Sequence, residues 1–384
     1  MRVPVLDLLR QYATLQDDID AAMRRVLATG RFILGTEVEA LEQEIAERCG
    51  VAHGIGVASG TDALLLSLRA LDIGPDDRVI VPAFTFFATA GVVHRLGATP
   101  VFADIDRGSF NVDPEHVDHL LETLPGRPPR VILPVHLFGQ MADLPSLASI
   151  AERHGALLVE DAAQALGAAC RGSPAGSVGK LGCFSFYPTK NLGAYGDGGM
   201  LVTDDADVAD RVRQLRMHGA RPKYVHHEVG MNSRLDELQA AILRVKLGHL
   251  DAWIMARQQR AATYDARLSG LHGIACPPRR EGFAHVFHQY TVRVLGGHRD
   301  RVRDGLATRG IGSMVYYPLP LHLQPCFAHL GYRQGQLPES ERACREVLSL
   351  PLFPELREDE QAQVVDAVRG AVSAGDAGRS PGDA

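Results

Sequence analysis

The fold class is decided by the stretch Gly54-Ile55-Gly56-Val57-Ala58-Ser59-Gly60-Thr61-Asp62-Ala63-Leu64-Leu65-Leu66-Ser67-Leu68. Its first five residues predict a short buried strand, and the leucines from Leu64 onward recur with a helical period. The small, cap-forming residues Ser59 to Asp62 lie between them and predict a tight turn into the helix. A strand, a turn and a helix in this order form the repeating unit of an α/β protein.

The same alternation of strand and helix patterns continues to about residue 205. The candidate strands are residues 54–58, 78–81, 99–103, 131–135, 156–160, 183–187 and 200–203. They are apolar almost throughout, which is typical of parallel strands covered on both faces. The sequence therefore predicts a mostly parallel seven-stranded sheet sandwiched by helices.

The length of 384 residues allows two or three domains. Residues 31–248 are predicted to form a large α/β domain, and residues 1–30 with 249–372 a smaller α+β domain. A long helical pattern from residue 233 to about 268, which Gly248 divides, bridges the two. Residues 313–317 are expected to form a strand, and the tail 373–384, which has no apolar anchor, is predicted to be disordered.

Composition excludes several classes of protein. The formal net charge of -6 disfavours a nucleic-acid binder, and no apolar run is long enough to span a bilayer. The N-terminal residues lack a signal-peptide pattern, so we expect a cytoplasmic protein with its six scattered cysteines reduced. The 16 histidines show no zinc-type spacing, and no metal site is predicted.

The turn after the first strand is a candidate phosphate site. Gly60 allows a ligand to approach the backbone, and the free amides at a helix start attract anions. Plain helix capping by Ser59, Thr61 or Asp62 is the alternative. Neither a P-loop nor a Gly-x-Gly-x-x-Gly dinucleotide motif occurs.

Two further segments carry candidate chemistry. Asp161 ends an apolar strand, at the edge where open α/β sheets bind ligands, although an ion pair with an arginine would also explain it. Lys190 follows another strand and enters a glycine-rich turn, where a confined amine can act as a nucleophile; a surface lysine is the alternative. A phosphate cradle, a carboxylate and a lysine are the three contacts that pyridoxal phosphate needs.

These segments, taken in order, resemble the DegT-type nucleotide-sugar aminotransferases of the fold-type-I pyridoxal phosphate superfamily. The resemblance extends from Asp7 to about Arg369. It rests on Ser59-Gly60-Thr61-Asp62-Ala63-Leu64, Val81-Pro82-Ala83-Phe84-Thr85-Phe86, Pro134-Val135-His136-Leu137-Phe138-Gly139-Gln140, Glu160-Asp161-Ala162-Ala163-Gln164, residues 184–199 and residues 230–241.

The resemblance implies a role for each matching residue in holding pyridoxal 5'-phosphate. Lys190 would form the imine with the cofactor and carry the proton, and Asp161 would pair with the pyridine nitrogen. The other implied contacts are Gln164 near the 3-hydroxyl, Gly60, Thr61 and Ser185 at the phosphate, Asn232 at the phosphate of the neighbouring subunit, and Phe86 on the ring face. Packing in the core is an equal alternative for Phe86. A homodimer with a shared active site is implied as well.

The residues around the lysine look like those of the sugar 3-aminotransferases. Residues 187–194 and 196–199 carry this likeness, which implies amination of a nucleotide-linked 3-keto-6-deoxyhexose, with dTDP as the nucleotide and L-glutamate as the donor. Many such relatives read His-Tyr-Pro where this chain has Tyr316-Tyr317-Pro318. The candidate substrate residues are Tyr187, Tyr224, Tyr317 and His322.

Three other functions stay open at this point. One is a sugar 4-aminotransferase of the same family, and another is a dehydratase on the same fold, although such relatives replace the lysine with histidine. The third is a regulatory protein without catalysis, because the founding family member was first described as a regulator.

Overall fold

The computed structural model describes residues 3–376. Its strands are β1 (His53–Val57), β2 (Arg78–Pro82), β3 (Thr99–Ala103), β4 (Val131–Ile132), β5 (Leu157–Asp161), β6 (Ala169–Cys170), β7 (Ser173–Pro174), β8 (Leu181–Ser185), β9 (Gly199–Thr203), β10 (Ile274–Ala275), β11 (Phe283–Ala284), β12 (Tyr290–Val294) and β13 (Val347–Leu350). All seven strands predicted for the main sheet are present, with ends shifted by a few residues.

The helices lie between the strands and at both ends of the described chain. They are α1 (Leu8–Thr29), α2 (Thr36–Cys49), α3 (Gly60–Ala70), α4 (Ala88–Arg95), α5 (Pro114–Thr123), α6 (Leu144–His154), α7 (Ala206–Leu215), α8 (Glu237–Leu247), α9 (Leu250–Leu268), α10 (Arg299–Thr308), α11 (Pro338–Glu346) and α12 (Glu358–Asp376). The long helical pattern divides at Gly248, as expected. Three short 3-10 turns complete the set within residues 3–376.

The main sheet has seven strands in the order β1-β9-β8-β5-β4-β2-β3. Only β9 runs against its neighbours, so the mostly parallel sheet predicted from the apolar strands is confirmed. Alternate residues of each strand enter the two apolar clusters on opposite faces, as Val79 and Ile80 do. The carboxyl ends of six strands therefore meet at one edge of the sheet.

A second sheet, β10-β12-β13, carries the third apolar cluster together with α9, α10 and α12. The N-terminal residues join this cluster, because Val3 pairs with Ile311 and Arg10 bonds Glu360 over 2.7 Å. Helix α1 also packs on α8. The small antiparallel sheet of β6, β7 and β11 was not predicted.

Two predictions of local structure need correction. Residues 313–317 do not form a strand, since only Met314 pairs there, through an isolated bridge to Ser349. Helix α12 continues to Asp376, so residues 373–376 of the predicted disordered tail are helical, and residues 377–384 lie outside the described chain. The division of the chain into two domains at residues 30, 248 and 372 stays a prediction.

None of the described helices is both long and apolar enough to cross a membrane.

Candidate active site

Lys190 lies in a loop that leaves the sheet after β8, here named the lysine loop (residues 186–198). Two backbone hydrogen bonds close its base, from Phe186 N to Gly198 O and from Ala194 N to Phe186 O, both 2.8 Å. The side chain is half-buried. Burial lowers the pKa of Lys190 to about 8, and the carboxylate of Asp161 acts in the opposite direction. The amine is thus far easier to deprotonate than an exposed lysine.

Asp161 ends β5 with its side chain inside the protein, since the residue is 4% exposed. Thr89 Oγ1 donates to Asp161 Oδ2 over 2.8 Å, and Ala163 N donates to Oδ1 over 3.2 Å. Burial raises the pKa of Asp161, while these bonds and the charge of Lys190 oppose that rise. No arginine within the described chain pairs with Asp161, so the alternative of an arginine ion pair does not hold.

The candidate phosphate cradle lies where β1, β9 and β8 meet. Gly199 pairs with Val57 on one side and with Ser185 on the other, which brings the start of α3 against Ser185. A Cβ on Gly60 would lie 2.6 Å from the Cβ of Ser185, so a larger residue does not fit. Ser59 caps the amide of Asp62 over 3.1 Å, and the earlier amides of α3, those of Gly60 and Thr61, lie at the anion-binding end of the helix.

Gln164, Tyr317 and Phe86 form one wall of the site. Gln164 Oε1 accepts from Phe138 N over 2.7 Å, and its Nε2 donates to the Tyr317 hydroxyl over 3.3 Å. Burial raises the pKa of Tyr317. The Phe86 ring centroid is 6.2 Å from that of Tyr317 and the residue is 56% exposed, so Phe86 does not pack in the core. Its exposed ring is free to cover a flat ligand.

The remaining predicted residues are Asn232, Tyr187 and Tyr224. Residues 217–231, which carry Tyr224, pair with Asn232 through Met217. This segment, Asn232 and Tyr187 are here named the open side. Asn232 is exposed, and its neighbour Ser233 donates to Asp62 Oδ2 over 2.7 Å at the start of α3. Tyr187 is exposed on the lysine loop. Tyr224 is 80% exposed, with Lys223 Nζ 5.0 Å from its ring centroid.

His322 is not brought to this site. Its side chain is buried against Glu341, with Nε2 and Oε1 3.3 Å apart, and against the rings of Phe102 and Tyr332. None of these partners is a predicted site residue. Burial lowers the pKa of His322, which favours the neutral ring.

Sequence reasoning missed two buried contacts beneath the site. One is made by Thr89, which lies in the first turn of α4 after a sheet strand and bonds Asp161. The other is made by Glu160 and His136, which belong to two of the family motifs but have no role assigned from the sequence. Glu160 Oε2 bonds His136 Nε2 over 2.8 Å and the carboxylate accepts three amides, which keeps the pKa of Glu160 low despite burial.

Comparisons with known proteins point to one family. The sequence model of the DegT/DnrJ/EryC1/StrS aminotransferase family matches residues 13–369. The chain is 51% identical to a pleiotropic regulatory protein of Geobacillus stearothermophilus, over 96% of this chain and 98% of that protein. It is 46% identical to a UDP-N-acetyl-3-dehydro-alpha-D-glucosamine 3-aminotransferase of Acidithiobacillus ferrooxidans, over 96% and 97%. It is also 46% identical to a dTDP-3-amino-3,4,6-trideoxy-alpha-D-glucose transaminase of Streptomyces venezuelae, over 96% of each chain.

Solved structures give the same result for the fold and the cofactor. DesV of S. venezuelae, solved with a ketimine intermediate, superposes with a TM-score of 0.93 at 46% identity, covering 97% of this chain and 98% of that one. NtdA of Bacillus subtilis, solved with bound pyridoxamine phosphate, has a TM-score of 0.88 at 30% identity, covering 97% and 85%. The cofactor is therefore pyridoxal phosphate, and the cradle, carboxylate and lysine described above fit it.

Proposed function

Because the chain belongs to the DegT/DnrJ/EryC1/StrS aminotransferase family, we propose that it transfers the amino group of L-glutamate to C3 of a dTDP-linked 3-keto-6-deoxyhexose. The enzyme is a pyridoxal phosphate-dependent sugar aminotransferase that acts on keto intermediates linked to a nucleotide. The observation that carries the proposal is the convergence of Lys190, Asp161 and the Gly60 cradle at one edge of the sheet.

The choice of C3 is supported by the names of two relatives and by the residues around Lys190. Both the Acidithiobacillus and the Streptomyces protein are named for an amino group at position 3. They differ in nucleotide, UDP against dTDP, and dTDP is proposed here from the family resemblance. L-Glutamate is proposed as the donor from the family resemblance.

Bound pyridoxal phosphate supplies the carbon that carries the amino group between substrates and a ring that withdraws electrons from it. Lys190 would hold the cofactor through its amine, and its pKa of about 8 makes the neutral form available to take the proton from Cα of glutamate. Asp161, buried and supported by Thr89, would keep the pyridine nitrogen protonated. The amides of Gly60 and Thr61, with Ser185, would hold the phosphate.

A groove beside Tyr224 supports a substrate with a diphosphate. It has a volume of about 690 Å³, and its charged lining includes Arg213, Arg221, Lys223 and Arg234 against the single carboxylate of Asp210. Asp210 pairs with the first two of these, which leaves a positive surplus in the groove. Such a surplus attracts an anionic nucleotide although the whole chain is acidic.

We further propose that the enzyme acts as a cytoplasmic homodimer, with Asn232 reaching the phosphate bound by the other subunit. The exposure of the side chains of Asn232, Tyr187, Phe86 and Tyr224 supports this, because a second copy of the chain would cover them. Sedimentation of the purified protein at several concentrations tests the dimer. A monomer at all of them would contradict it.

The experiment that decides the regiochemistry is incubation with glutamate and either a 3-keto or a 4-keto dTDP-deoxyhexose, followed by NMR of the product. We expect an amine on C3 only, and the UDP analogue of the same sugar should react more slowly. An amine on C4 would overturn the C3 assignment.

A purely regulatory role is the second candidate, because the Geobacillus relative is named a regulatory protein. Absorbance separates it from catalysis. The visible band of bound pyridoxal phosphate should shift when glutamate is added, and a band that never responds to any amino donor would favour regulation. The retained Lys190 disfavours a dehydratase.

A further inference from the structure

A second lysine is buried near the active site, and none of the steps described above uses it. Lys246, on α8, is 1% exposed. Its ammonium group donates to the carbonyl oxygen of Gly193 and lies 4.9 Å from the ring centroid of Tyr195. Within the described chain no carboxylate forms an ion pair with it, and burial lowers its pKa to about 8. Burying an ammonium group is costly unless its partners are well placed.

Both partners of Lys246 belong to the lysine loop. Gly193 follows Lys190 by three residues, and a Cβ there would collide with the carbonyl of Pro188. The chain therefore folds back on itself between Pro188 and Gly193, which are the two ends of the turn that carries Lys190. A bond that fixes the Gly193 carbonyl fixes this turn.

The same face of α8 holds the loop at a second point. Gln239, two helical turns before Lys246, accepts from Tyr195 N over 2.9 Å and donates to Tyr195 O over 3.3 Å. Tyr12 of α1 packs edge-on against the Tyr195 ring, with centroids 5.9 Å apart. The loop is thus attached to α8 at Gly193 and at Tyr195, on both sides of Ala194.

We propose that Lys246 is a positioning residue for Lys190: its ammonium group holds the Gly193 carbonyl and so fixes the turn that directs the Lys190 amine toward Asp161. The geometric part of this inference stands on the contacts above, and its effect on catalysis rests on the proposed function. Without the bond, the buried carbonyl of Gly193 loses its partner, which favours opening of the loop.

The test compares Lys246→Met, which keeps the length and removes the donor, with Lys246→Gln, which retains a shorter donor. Lys180→Met, at an exposed lysine paired with Asp205, is the matched control. Amide hydrogen exchange of the apoprotein is measured for residues 187–198 and, as a reference, for β12. We expect exchange of the loop to accelerate at least about tenfold in Lys246→Met and less in Lys246→Gln, with β12 and the control unchanged.

In the loaded enzyme, Lys246→Met should lower kcat for the glutamate half-reaction roughly 10- to 100-fold with little change in KM, because a small displacement of a reacting group is costly. The pH at which the visible absorbance band of bound pyridoxal phosphate is half-changed should also differ from that of the wild type. Unchanged loop exchange in Lys246→Met would overturn the proposal, as would equal acceleration in β12, which indicates general destabilisation. Failure of both variants to fold would likewise overturn it.

The two readouts separate this inference from the proposed function. If wild-type protein shows no response to glutamate, the proposed function fails, while the exchange experiment still decides whether Lys246 fixes the loop.

Discussion

Two parts of the active site are built differently. One is the floor, formed by Asp161 with Thr89 and Ala163, and the other is the open side. At the floor, Asp161 is buried and bonded by Thr89 and Ala163, residues of the same chain. On the open side, Tyr224 is 80% exposed, and the segment of residues 217–231 that carries it borders a groove of about 690 Å³.

This difference separates the two tasks of the enzyme. Chemistry at the cofactor needs charged groups that are buried and held in fixed positions, because electrostatic interactions are strongest where water is excluded. Recognition of a large anionic substrate needs an accessible surface. We therefore expect substitutions at the floor to affect every substrate and substitutions on the open side to affect the nucleotide sugar alone.

The largest effect is expected for Lys190→Ala. Removing the amine that attacks and carries the proton should lower turnover roughly 10³-fold or more for glutamate and ketosugar alike. Single-turnover kinetics of each half-reaction measure this, with Lys180→Ala as the control. Turnover at the wild-type rate would contradict the mechanism.

Asp161→Asn should be the next most damaging change. The amide keeps the shape but cannot hold a positive charge on the pyridine nitrogen, so kcat should fall roughly 10²-fold in both half-reactions. The same substitution at the exposed Asp304 should leave both rates intact. An effect confined to the sugar half-reaction would contradict the expectation that substitutions at the floor affect both substrates.

Thr89→Val should have a smaller effect in the same direction, roughly tenfold. The Thr89 hydroxyl stabilises the ionised Asp161, so its loss should raise the pKa of that carboxyl further. The acid limb of the pH–rate profile should consequently move to higher pH. Thr85→Val is the matched control, because Thr85 touches Thr89 but is not bonded to Asp161. A profile that does not move would exclude a role for Thr89.

The attachment of pyridoxal phosphate to apoprotein should depend on pH through Lys190. Below about pH 8 the neutral fraction of the amine falls roughly tenfold per pH unit, and the attachment rate should fall with it. Stopped-flow absorbance measures the rate. An inflection near the pKa of an exposed lysine would show that burial does not tune Lys190, whereas the Lys180→Ala protein should reproduce the wild-type curve.

The smallest effect is expected for Tyr224→Ala. Losing one aromatic contact of about 1 kcal/mol should raise KM for the nucleotide sugar roughly 3- to 10-fold and leave the glutamate half-reaction unchanged. Val229→Ala, at another exposed apolar residue of the segment, should change neither. An equal loss of rate in both half-reactions would show that Tyr224 acts on the cofactor chemistry, as the residues of the floor do.

Much of the fold was predictable from local pattern, because buried strands and amphipathic helices leave a periodicity in the chain. The strand end that carries Asp161 and the loop after β8 that carries Lys190 follow from the same pattern. His322 shows the limit of motif reasoning, since its buried side chain bonds Glu341, which is not a predicted site residue. The strand expected at residues 313–317 failed for a related reason: Met314 alone finds a pairing partner.

By itself, the sequence determined the α/β architecture, the order of the strands along the chain and the presence of a lysine, a carboxylate and a glycine turn after three of them. Only the tertiary structure decided which groups support them. Thr89 is 72 residues from Asp161 along the chain, and Lys246 is 53 from Gly193. Burial, hydrogen bonding and the resulting pKa shifts depend on which elements become neighbours in space, and local periodicity does not encode that.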